Sequence, residues 1–134
     1  MKFFEWSENF SVNIPEIDDQ HKIIVDLLNE LYNAFMNKEH DKKLGEIIKK
    51  LSEYANFHFN TEEKYFSKFP DESITNHLEQ HEDFKKKIES YKNLYSKDIS
   101  SLTFIIMQFI KGWLINHISG TDKAYFLKIK NKLN

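Results

Sequence analysis

From residue 18 onward, apolar residues recur every three or four positions, the period of helices with one buried face. The first such segment, DDQHKIIVDLLNELYNAFMNK, aligns Ile24, Leu27, Leu28, Leu31 and Phe35, and Asp18 stands where an N-cap is expected. A short polar break over 37–41 precedes a second stripe of Leu44, Ile47, Ile48, Leu51, Tyr54, Ala55, His58 and Glu62. Phe69-Pro70 interrupts this pattern, because proline cannot continue a helix. A third helical pattern follows, then a reversal at Lys97-Asp98. The fourth stripe holds Leu102, Ile106, Phe109, Ile110, Trp113, Leu114 and His117, with Gly112 as a point of close helix approach and Gly120 as a natural stop. Residues 1–17 show neither period but contain Phe3, Phe4, Trp6 and Phe10, an aromatic arm suited to packing across a bundle. Short connections make antiparallel neighbours. The pattern predicts an all-α fold, an up-down-up-down antiparallel four-helix bundle. Its parts are an N-terminal arm over 1–17, helices over about 18–38, 42–66, 75–95 and 99–119, and a short amphipathic C-terminal helix within 121–134.

Composition narrows the chemistry. A chain of 134 residues suits a single domain with one core. All 19 basic residues are lysines and the net charge is −2, so the forked guanidinium contacts of nucleic-acid readers are absent and no nucleic-acid partner is expected. Without cysteine, histidine and carboxylates are the strong metal ligands that remain. The acidic N-terminus does not resemble a signal peptide, and no apolar run reaches membrane-spanning length. The expectation is a cytoplasmic protein without a membrane partner.

The histidines carry the strongest signal. His58 and Glu62 are four apart, as are His77 and His81, so each pair stacks on one helix face. Both His58 with His81 and Glu62 with His77 are symmetric about the Phe69-Pro70 junction. A reversal there sets all four at one height. By the same reasoning His21 meets His58 across the first turn, and His77 meets His117 across the third. Five histidines and Glu62 converge at one end of the bundle. His40 falls at the opposite end and is read as an ordinary polar histidine. Glu63, Glu79 and Glu82 are read as solvated or supporting residues. Asp122, five residues after His117, joins the cluster only if the helix ends or bulges near Gly120, since five α-helical steps turn it about 140° away.

The segments DDQH, HFNTEE, HLEQH and WLINHISGTDKAY, with the arm FEWSENFSVNIPEID, together resemble the hemerythrin family, specifically its single-domain bacterial members. The resemblance covers the whole chain, residues 1–134, as one hemerythrin-like domain. It implies two non-haem iron ions joined by a bridging oxo or hydroxo ligand. His77, His81 and His117 would bind one iron, His21 and His58 the other, and Glu62 and Asp122 would bridge both. It further implies a dioxygen pocket walled by Ile24, Phe59, Trp113, Leu114 and Ile118. Phe66 departs from the methionine of many relatives, and the proline of the second turn is placed differently. The implied function is reversible dioxygen binding for storage, transfer or sensing. A di-iron redox enzyme, a peroxidase or nitric-oxide-processing activity at the same open iron, is the alternative. The expected wall is hydrocarbon and indole, without a general acid or base, so no catalytic residue is assigned and the carrier reading is favoured. Dioxygen is the expected partner of a monomer, and the sequence names no protein partner.

Overall fold

The computed structural model describes residues 3–94 and 98–132. Its main helices are α1 (Pro15–Met36), α2 (His40–Lys68), α3 (Ile74–Leu94) and α4 (Ile99–Trp113). A π-helical segment, Leu114–Asp122, leads without a break into α5 (Lys123–Ile129). No strand occurs among the described residues. α1 packs on α2 and α4, and α3 packs on the same two helices, which gives the antiparallel four-helix bundle read from the periodicity.

Three local expectations change. α1 starts at Pro15, ahead of Asp18, because proline is pre-organised for the first helical turn and Ile14 caps the helix without a side-chain bond. Asp18 is therefore not the N-cap. Its carboxylate instead accepts the Val12 N–H at 2.8 Å and the Ser11 hydroxyl at 2.5 Å, fastening the arm to the bundle. Gly120 does not stop the fourth helix but lies inside the π-helical segment, with no positive φ. Gly112 does not mediate a close approach: a β-carbon there would meet only the Asn116 side chain, at 4.0 Å.

Helix boundaries shift modestly elsewhere. α2 already includes His40, whose Nε2 lies 2.9 Å from the Ser100 hydroxyl at the far end of the bundle. Asp98 caps α4 by accepting the Ser101 N–H at 3.1 Å, while Tyr95 and Lys97, the expected end of the third helix and start of the reversal, lie outside the described residues. The continuous helical run Ile99–Lys132 is long and apolar enough by composition to cross a membrane, although polar residues such as Gln108 and Lys111 interrupt it, so no unbroken apolar run of that length occurs. Its inner face carries Leu102, Ile106, Ile110, His117 and Asp122 into the bundle, and its outer face exposes Phe104, Ile105 and Ile115.

Two apolar clusters enclose the histidine layer. The larger runs through the four helices and includes Ile24, Leu28, Leu51, Phe59, Phe84, Ile106, Leu114 and Ile118. The smaller joins the end of the arm to α5 through Val12, Ile14, Ile17, Phe66, Tyr125, Phe126 and Ile129. Phe59 of the first cluster stacks on His81, and Phe66 of the second lies 4.5 Å from His77. Between the two lies the polar layer.

Candidate metal centre

His21, His58, Glu62, His77, His81, His117 and Asp122 are each at most 3% exposed, and all seven meet in that layer. α1 supplies His21, α2 supplies His58 and Glu62, α3 supplies His77 and His81, and the π-helical segment supplies the last two. That segment explains Asp122. Bonding from residue i to i+5, as in Lys123 N–H to Ile118 C=O, widens the turn and returns residue 122 over residue 117. His117 Nε2 then lies 3.0 Å from Asp122 Oδ1.

The carboxylates divide their oxygens between two histidine groups. Glu62 Oε2 faces His21 and His58 at 3.4 and 3.2 Å, while Oε1 faces His77 and His81 at 3.7 and 2.9 Å. Asp122 Oδ2 faces His21 at 3.1 Å, and Oδ1 faces His77 and His117 at 2.5 and 3.0 Å. Ligand atoms of Glu62, His77, His81, His117 and Asp122 lie within 4.8 Å of one another, as do those of His21, His58, Glu62 and Asp122.

Each of these five histidines turns Nε2 inward. On three of them Nδ1–H is fixed from outside: His58 donates to Gln20 Oε1 at 2.7 Å, His81 to Glu63 Oε2 at 3.1 Å, and His117 to Gln80 Oε1 at 2.5 Å. That tautomer leaves the Nε2 lone pair free for a metal. Ring contacts hold the planes: Trp113 stacks on His117 at 3.8 Å, Phe59 on His81 at 3.9 Å, and Tyr54 on His58 at 5.2 Å. Of the five residues expected to wall a pocket over His21 and His58, Ile24, Phe59, Leu114 and Ile118 are fully buried in the main core. Trp113 is partly exposed, and its imidazole contact is with His117 of the other group.

The protein atoms alone leave this layer poorly satisfied. His21 Nε2, His81 Nε2, His117 Nε2, both Glu62 oxygens and Asp122 Oδ2 are buried without a hydrogen-bond partner among the described residues, despite their proximity. Each such atom costs roughly 1–3 kcal/mol. Burial lowers the His58 pKa to about 4 and that of His81 to about 2, so both are neutral. Burial also opposes protonation of His21 and His77, but Asp122, with Glu62, outweighs it and raises both. Glu62 is raised by burial and by the Asp122 charge, whereas Asp122, despite its burial, is held well below the carboxylate range by His117, His21 and His77. Inward lone pairs and unsatisfied carboxylate oxygens fit cations. Five imidazoles and two carboxylates overfill a tetrahedral zinc site and suit an octahedral metal such as iron.

A four-helix bundle that gathers five imidazoles and two shared carboxylates into one buried layer defines a non-haem metalloprotein. Comparison with known proteins agrees. Residues 12–129 match the model of the Hemerythrin HHE cation binding domain. The bacteriohemerythrin of Clostridium acetobutylicum is 32% identical over 127 residues, covering 91% of this chain and 98% of its own. The bacteriohemerythrin of Stenotrophomonas maltophilia is 30% identical over 136 residues, covering 100% and 86%. A hemerythrin-like protein of Naegleria fowleri is 31% identical over 122 residues, covering 91% and 90%. The chain belongs to the hemerythrin family of iron-binding, oxygen-binding helical bundles.

Sequence reasoning passed over Gln20 and Gln80, and left Glu63 between solvent and support. The one available signal is that each glutamine immediately precedes a histidine, in DDQH and LEQH. Each serves a histidine on another helix, which adjacency cannot reveal.

The raised pKa values have a measurable consequence. His21, His77 and Glu62 hold protons more tightly than usual in the metal-free protein, and a metal must displace them. Ferrous iron added to metal-free protein under argon should therefore acidify a weakly buffered solution. Its apparent affinity should rise from about pH 6 to about pH 8. Uptake independent of pH, with no proton release, would contradict this assignment.

Proposed function

We propose that this protein binds dioxygen reversibly at two non-haem irons, for storage, transfer or sensing. His77, His81 and His117 would hold one ion, His21 and His58 the other, with Glu62 and Asp122 shared and an oxo or hydroxo bridge completing the pair. The observation that carries this reading is the division of each carboxylate, one oxygen toward each histidine group. Five imidazole nitrogens, four carboxylate oxygens and one shared bridge would leave two six-coordinate ions a single open position, on the two-histidine side. The ions would supply reversible electron transfer to dioxygen. The chain supplies the rest: Gln20, Glu63 and Gln80 fix imidazole tautomers, and Ile24, Leu114 and Ile118 exclude water.

The test is metal analysis followed by the visible spectrum in air and under argon. The expected result is about two irons per chain, little zinc, and a charge-transfer band that fades under argon and returns in air. One metal per chain, or mainly zinc, would overturn the two-iron reading. A band that bleaches irreversibly while oxygen is consumed would favour a di-iron redox enzyme, the second reading.

A further inference from the structure

One helical turn from the histidines, toward the middle of the bundle, the helices present Ile24 after His21, Leu114 before His117 and Tyr54 before His58. All three belong to the main core. Ile24 and Leu114 bring only hydrocarbon to that level, but Tyr54 adds a hydroxyl. Tyr54 is 5% exposed, and its ring lies over the His58 imidazole with 17° between planes. Its hydroxyl is buried, and no described residue offers it a hydrogen bond.

This fold satisfies a structural phenol elsewhere. The Tyr125 hydroxyl donates to the Phe69 and Tyr65 carbonyls at 2.7 and 3.1 Å and ties α5 to the end of α2. Tyr54 has no equivalent, and an unpaired buried hydroxyl costs roughly 1–3 kcal/mol. Phenylalanine would fill the same space without that cost, as Phe59 and Phe84 do nearby. The phenol is also a donor, because burial and the charges of Glu62 and Asp122 keep its proton in place. The wall is thus not wholly hydrocarbon and indole.

We propose that Tyr54 contacts the exogenous ligand: its hydroxyl donates a hydrogen bond to a small ligand with a terminal lone pair, held beside His21 and His58. This rests on the two-iron reading above, because His58 belongs to the half with the open position. The residue does not hold the metal; it favours ligands that accept a hydrogen bond over those that do not.

The experiment compares wild type with Tyr54→Phe in two forms. In metal-free protein the variant should melt at the same temperature or higher, since it loses only an unpaired hydroxyl. Loaded with ferric iron and titrated with azide, it should retain the iron of wild type but bind azide about tenfold more weakly. Equal azide affinity at equal iron content overturns the role of Tyr54 and leaves the two-iron reading intact. A metal-free variant that melts lower also overturns it, because the hydroxyl then has a structural partner. A wild-type protein that takes up no iron, or binds no azide, overturns both readings.

Discussion

Replacing Glu62 with alanine is expected to empty both halves of the site, leaving well under one iron per chain. A histidine serves a single cluster, whereas Glu62 turns one oxygen to His21 and His58 and the other to His77 and His81. If two irons share it, its removal would strip each of an anionic ligand at once. Loss of a mere supporting hydrogen bond costs about 10- to 100-fold in metal affinity. Loss of a shared ligand would exceed that on both ions of the proposed pair. The helices should still form, because the main core does not depend on this carboxylate and the metal-free protein gains by losing two unsatisfied buried oxygens. Metal analysis with circular dichroism on Glu62→Ala, beside His40→Ala as a control, decides the point. His40 lies at the other end of the bundle and should retain the full complement. A Glu62→Ala protein that kept one tightly held iron would show that this carboxylate belongs to one ion only.

Removing the iron should lower the melting temperature by about 10–20 °C. A ligand present at a thousand times its dissociation constant stabilises the folded state by about 4 kcal/mol, and a chain of this size shifts by roughly 3–5 °C per kcal/mol. The direction follows from the layer itself. Without cations, its unsatisfied nitrogens and oxygens stay buried between two apolar clusters and the helices lose their cross-link. Calorimetry of iron-loaded and chelator-treated protein measures the difference. Equal melting temperatures would make the site peripheral to the fold.

The bundle was legible because its signals are local and periodic, and the histidine layer because helix spacing and turn position convert sequence distance into height. His58 and His81 required only a reversal at Phe69-Pro70 to meet. Asp122 required more. Its place depends on a widened turn that no side-chain pattern announces, and Gly120 pointed instead to a stop. Asp18 misled for a related reason: several residues in DD-rich starts can cap a helix, and Pro15 had already begun this one. Gln20, Gln80 and the unpaired hydroxyl of Tyr54 were illegible because their meaning lies in contacts, or missing contacts, between helices.

The order of the donors along the chain also bears on how the protein is made. From His21 to Asp122 they span nearly the whole polypeptide, and the last belongs to both histidine groups. On the two-iron reading, a nascent chain still lacking its final helix would offer each ion an incomplete set of donors. Tight capture would then wait for the segment Leu114–Asp122, which carries His117 and Asp122, to pack into the layer. Iron retention would accordingly report a completed fold, with assembly of the centre as its closing step.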